Sequence, residues 1–197
     1  MARVPSVTAE DMPVAFQDDF RRLSEIFPAF SNQVPVYANS PTGMKQIFET
    51  TLALRETGNF PRRLMEIAVI AASHANRCEY CVIHHSSILV ELGLDADSVI
   101  DITSAEPVNL NDVELLVRDY AIAVSERAYG IRDEMFERLR NHFSNEQIVE
   151  LTMRIALTGM FNKINQALGI ELEEEMMADL FTQDTDRPAD DAAGSTR

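Results

Sequence analysis

The chain has 197 residues, 17 of them Lys or Arg and 32 Asp or Glu, for a formal net charge of −15. A hydrophobic content of 46 % supports a packed core and excludes a disordered chain. So acidic a balance also disfavours nucleic acid, whose phosphates call for clustered Lys and Arg.

Pro13 precedes an apolar-periodic run (Val14, Phe16, Phe20, Leu23) that ends before Pro28, which predicts a first helix. Asn32 to Ser40, with Pro35, reads as a loop. Ser40-Pro41 is a helix start, with Ile47, Leu52 and Leu54 as the apolar side and Gly58-Asn59 as the stop. Pro61 opens a helix carrying Leu64, Ile67, Ala68 and Ala71 at helical spacing. Another runs from Arg77 to Leu92 and stops at Gly93. Asp95 to Ile102 reads as a short helix before Pro107. Asn111 caps a helix through about Tyr129, with Val113, Leu116, Val117, Tyr120 and Val124 on one face. Met135 to Phe143 is short and amphipathic. Ser144-x-x-Gln147 has capping-box spacing and starts a long helix to Leu168, with Ile148, Leu151, Ile155 and Thr158 in a stripe and Gly169 as the stop.

No segment alternates as a strand does, so the fold class is all-α. The expected organisation is an N-terminal arm and helix over 1–33, a helical core over 34–170, an acidic C-terminal helix over 171–183 and a disordered tail over 184–197. Residues 171–197 hold nine acids and two bases, which places −7 of the charge there. No apolar run approaches the roughly 20 residues of a membrane span. The first twelve residues lack the basic-then-apolar order of a secretory signal. Two cysteines are too few for a disulfide scaffold. The expected location is the cytoplasm, where a close cysteine pair needs a chemical reason.

That pair is Cys78 and Cys81, within one helical turn of each other. A cysteine near a helix N-terminus is stabilised as thiolate by the macrodipole and the free N–H groups. In one straight helix Glu66 and Cys78 would stand roughly 18 Å apart. A break at Asn76-Arg77, with Asn76 capping a second helix, instead folds Glu66 back toward the thiols. His85 shares a face with Cys78 and Cys81, whereas His84 points about 100° away and reads as structural. Carboxylate, imidazole and two thiols form a complete set for thiol redox work. The alternative is a zinc site of His74, Cys78, Cys81 and His85. It is disfavoured because structural zinc normally draws its ligands from two separate segments. His74 could instead cap the first helix, and His142 reads as an inert surface residue.

Glu66, then eleven residues, then Cys78-x-x-Cys81-x-x-x-His85 resembles the alkylhydroperoxidase AhpD-like proteins of the carboxymuconolactone decarboxylase superfamily, the peroxidase-related branch in particular. Pro61-Arg-Arg-Leu-Met-Glu-Ile-Ala68 is similar to that family's lead-in helix, and the looser match extends over about Val34 to Gly169. The resemblance implies an all-α bundle with the cysteines at the N-terminus of a central helix, and assembly into trimers or hexamers. It implies thiol-dependent reduction of peroxides, with Cys81 attacking, Cys78 resolving, and Glu66 and His85 as a proton relay. A thiol or dithiol protein would be the reductant, and no cofactor, metal, nucleic acid or membrane is expected. The best-studied branch has a histidine where this chain has Tyr80, which is neutral near pH 7 and cannot serve as the same base. Other readings are a decarboxylase acting on a small organic acid, which needs no cysteine pair, and a non-catalytic helical oligomer. Met135 to Leu139 and the N-terminal arm are the expected contact surfaces between subunits.

Overall fold

Capping chemistry places the helix ends of the computed structural model, which describes residues 2–104, 109–174 and 176. The expected acidic helix at 171–183 lies mostly outside those residues, and the tail at 184–197 wholly outside them. The helices are α1 (Val14–Ile26), α2 (Gln33–Tyr37), α3 (Pro41–Glu56), α4 (Arg62–Ala75), α5 (Glu79–Glu91), α6 (Ala96–Ile100), α7 (Asp112–Arg127), α8 (Asp133–Arg140) and α9 (Asn145–Leu168). No strand occurs among the described residues. Asn111 accepts from the N–H groups of Val113 and Glu114, while the Glu114 side chain accepts the Asn111 N–H. Ser144 and Gln147 make the same reciprocal pair at α9, and Asp95 caps α6 through the Ser98 N–H. Gly169 closes α9 at φ +62°, a left-handed conformation that glycine adopts without a Cβ clash.

Two expectations are corrected. Asn32 to Ser40 is not all loop, because Gln33 to Tyr37 forms α2. Pro35 is tolerated there since it lies in the first turn, where backbone N–H groups have no intrahelical partner. In α3 the fully buried residues are Met44, Phe48 and Thr51, whereas Ile47, Leu52 and Leu54 are only half-buried. The face is rotated because α3 packs against α1 and α2 on one side and α9 on the other. Phe48 fills the gap, its ring against Phe27, Tyr37 and Phe161.

α4 is the centre of the molecule. Every residue from Ile67 to Ser73 is buried, so this helix is covered on all sides, by α5, α7 and α9. Ala68, Ala71 and Ala72 let those neighbours approach closely. One core cluster joins α4, α7, α8 and α9 around Ile70, Leu116, Tyr120, Leu139 and Leu151. A second gathers α1 to α3 around Leu23, Val36, Met44 and Phe48, and includes both cysteines. Leu139 is fully buried and the partly buried Met135 and Phe136 pack against the first cluster. No helix of the described residues is long and apolar enough to cross a membrane.

Candidate active site

The site is built by the reversal between α4 and α5. α4 ends at Ala75 with Asn76 as its C-cap, Arg77 turns left-handed at φ +58°, and Cys78 is itself the N-cap of α5. The break therefore falls at Asn76-Arg77 as expected, but Asn76 closes the first helix instead of opening the second. The Cys78 N–H bonds back to the Ser73 carbonyl at 2.9 Å, which locks the turn. α4 and α5 then lie side by side, and Glu66 meets His85, with Oε2 2.7 Å from Nδ1. A carboxylate only accepts, so His85 donates through Nδ1–H and its Nε2 is left as the free ring nitrogen.

The two cysteines are free thiols with sulfurs 3.1 Å apart, about 1 Å beyond bonding distance. The Asn165 side-chain amide on α9 donates to Cys81 Sγ at 3.3 Å. Its own oxygen accepts from Gln33 Nε2 and the Tyr37 hydroxyl, both at 2.9 Å, which fixes the amide's orientation. Asn162, one turn earlier, donates to Ser73 Oγ and accepts from Asn76 Nδ2, tying α9 to the reversal. A hydrogen bond from Cys81, aided by the Cys81 backbone N–H, outweighs burial and lowers the Cys78 thiol to about 7. The same shared proton, together with burial, pushes the Cys81 thiol up. The first proton thus leaves the pair around neutral pH, and the negative charge it leaves behind sits on Cys78 at the helix N-terminus.

Reduced protein should show ultraviolet thiolate absorbance rising with a midpoint of about 7. Cys81→Ala, which removes the S–H donor, should return the midpoint toward about 8.5. An unmoved midpoint would contradict this account of the pair. Because Cys78 is more acidic in the fold, its contribution to stability is complete above the unfolded thiol's pKa. That contribution is lost as pH falls through about 7.

The thiols open in different directions. Cys81 lines a cavity of about 90 Å³ together with Glu66, His85, Phe30, Phe48 and Phe161. Cys78 borders a separate groove with Asn165, Gln166 and Ile170. His84 lines neither opening, and Tyr80 borders the Cys78 groove with its hydroxyl engaged elsewhere. The Tyr80 hydroxyl donates to Glu173 Oε1 at 2.9 Å, His84 Nε2 lies 2.7 Å from Glu173 Oε2, and Phe30 stacks on His84 with centroids 4.6 Å apart. Burial pushes the Tyr80 phenol up, so it stays neutral. This cluster pins the segment after α9 to α5, the structural role expected of His84. His74 sits in the last turn of α4 with an unpartnered Nε2, and His142 is exposed. No group of three or more His, Cys, Asp or Glu among the described residues is placed to hold a metal ion, so the alternative zinc quartet does not converge.

The chain matches the carboxymuconolactone decarboxylase family over residues 41–109. It is similar to a solved peroxidase-related protein of Ralstonia eutropha JMP134 with an alkylhydroperoxidase AhpD core, at 24 % identity and a TM-score of 0.76. That match covers 89 % of this chain and 94 % of the other. A putative antioxidant defence protein AhpD of Agrobacterium tumefaciens, of unknown function, is 27 % identical with a TM-score of 0.64, over 70 % of this chain and 95 % of that one. The debrominase Bmp8, solved with 2,3,4-tribromopyrrole, is 20 % identical with a TM-score of 0.75, over 91 % and 96 % respectively.

Proposed function

Because the chain belongs to the alkylhydroperoxidase AhpD-like and carboxymuconolactone decarboxylase superfamily, we propose that it is a thiol-dependent peroxidase acting on organic hydroperoxides. The observation that carries this reading is the free thiol pair, 3.1 Å apart at a helix N-terminus, with Cys81 opening onto the cavity that holds the Glu66–His85 pair.

In this reading His85, oriented by Glu66, takes the Cys81 proton. The Cys81 sulfur attacks the distal peroxide oxygen and the O–O bond breaks. The leaving alkoxide takes the proton back from His85 and departs as alcohol. Cys81 is then a sulfenic acid. Cys78, already a thiolate, attacks the Cys81 sulfur; the S–S bond forms, the S–O bond breaks, and hydroxide leaves as water with one proton from solvent. Overall two thiols are oxidised to one disulfide, and the hydroperoxide is reduced to alcohol and water. A thiol or dithiol protein of a reducing cytoplasm then restores the pair.

The direct test is anaerobic titration of fully reduced protein with tert-butyl hydroperoxide. One equivalent of alcohol and loss of both thiols per chain is the expected result; an unchanged thiol count overturns the reading.

A second reading follows from the walls of the cavity, where Phe27, Phe30, Phe48 and Phe161 suit a small aromatic ring. The same dithiol could reduce an aryl bromide, replacing C–Br by C–H with release of bromide and formation of the disulfide. Stoichiometric bromide from a brominated pyrrole, with no reaction toward hydroperoxide, would favour it.

The proposal extends to assembly as a homo-oligomer, trimer or hexamer. Val149, Met153 and Met160 on one side of α9 are 57 %, 50 % and 38 % exposed, an apolar stripe at helical spacing that a second copy could cover. Light scattering should return a multiple of the 22.1 kDa chain mass. A monomer mass at micromolar concentration contradicts it.

A further inference from the structure

Arg154, in the middle of α9, is only 9 % exposed, yet its Nε makes no hydrogen bond. No carboxylate lies within ion-pair distance of its guanidinium among the described residues. The fold treats its other covered arginines differently. Arg118, 7 % exposed, pairs with Asp119 and donates to the Ile102 and Ser104 carbonyls. Arg63 pairs with Glu114 and donates to the Leu92 carbonyl. Glu66 acts on Arg154 only through space, without an ion-pair contact, and a buried guanidinium that lacks hydrogen-bond partners is costly, a cost that a ligand anion would lower.

The surroundings point to where such an anion lies. Arg154 lines the same cavity as Cys81, Glu66 and His85, and Arg55 and Arg62 line it too. These two are exposed and form no ion pair among the described residues. The three arginines also border an outer groove of about 360 Å³ that continues from the cavity. Two carboxylates, Glu66 and Glu150, also line that groove, and both are engaged, Glu66 Oε2 by His85 Nδ1–H and Glu150 Oε1 by the Thr57 hydroxyl. A chain with 32 acids and 17 cations thus gathers three arginines around the chamber that holds its candidate nucleophile. The inner cavity, about 90 Å³, has room for about three waters and has phenylalanine walls.

We propose that Arg154, backed by Arg55 and Arg62, binds the carboxylate of a small organic acid whose apolar end reaches in among the phenylalanines toward Cys81. The planar guanidinium suits a carboxylate through paired N–H donors. Where the peroxidase reading holds, the preferred substrate is a carboxylate-bearing hydroperoxide. The anion site itself does not depend on that reading.

The test is isothermal titration of the reduced full-length protein with hexanoate and with hexanamide, which match in size and differ in charge. Hexanoate should bind at least about tenfold tighter. That preference should vanish in Arg154→Met and in Arg154→Gln, and survive in part in Arg154→Lys. Equal affinity for acid and amide in the wild type overturns the proposal, whether because no anion is read or because a second copy's acid already occupies the guanidinium. A preference that persists in the folded Met and Gln variants also overturns it. The wild-type comparison decides even where a variant does not fold. A second measurement separates this proposal from the peroxidase reading: kcat/KM for 4-hydroperoxy-4-methylpentanoate against its methyl ester. Turnover of both at equal rates supports the peroxidase and removes the anion site. Hexanoate preference without turnover of either keeps the anion site and removes the peroxidase.

Discussion

Cys81→Ser should lower hydroperoxide consumption by about a thousandfold or more, to the level of buffer. The reason is positional as well as chemical. Cys81 is the sulfur that lines the cavity, while Cys78 opens onto a different groove. A serine hydroxyl fits the same space but is not ionised near neutral pH and forms no sulfenic acid. The stability cost should be small, about 1 kcal/mol, since the swap is nearly isosteric and Asn165 can still donate to the new oxygen. Unchanged helicity with lost turnover is the expected pair of results; wild-type rates in Cys81→Ser would remove this residue from the chemistry.

Glu66→Gln should cost about a hundredfold in kcat/KM. The carboxylate lies 2.7 Å from His85 and fixes which ring nitrogen is free. Glutamine keeps the shape and loses the charge. Burial raises the Glu66 pKa, but His85, then Arg154 and Arg62, outweigh it, and the net shift is downward. The carboxylate is therefore ionised throughout the neutral range. Its contribution is present above the ordinary carboxylate value and is lost only as pH falls through the lowered one. The acid limb of the rate profile should accordingly follow the Cys78 thiol, which is lowered to about 7. Glu66→Gln should lower the plateau without moving that limb. A shifted limb at an unchanged plateau would contradict the relay.

The helices were legible where single side chains punctuate the backbone. Asn111 with Glu114, Ser144 with Gln147 and the left-handed Gly169 each act within four residues, so the chain announces them locally. Cys78, Cys81 and His85 were legible for the same reason, whereas Glu66, 19 residues from His85, joined them only through the break that folds α4 back on α5. What stayed hidden depends on distant partners or on rarer backbone choices. Asparagine serves at both helix ends, and the strain of the reversal falls on Arg77, a residue with no preference for positive φ, so Asn76 was placed on the wrong side of the break. Gln33, Tyr37 and Asn165 meet across 128 residues or more. Buried asparagines three apart on the inner face of α9, Asn162 and Asn165, were the available signal. Glu173 is masked by the acidic run around it, and only the fold singles it out as the partner of Tyr80 and His84. Arg154 reads as an ordinary helix cation until its burial is known.

The most direct test of the redox pair is dimedone labelling of Cys78→Ser and Cys81→Ser after one equivalent of alkyl hydroperoxide, read by peptide mass. With the resolving thiol gone, Cys78→Ser should carry the label on Cys81, because its sulfenic acid has no partner, and Cys81→Ser should carry none. A label on Cys78 in the Cys81→Ser protein would reverse the two roles, and no label in either would contradict a peroxide-reducing pair.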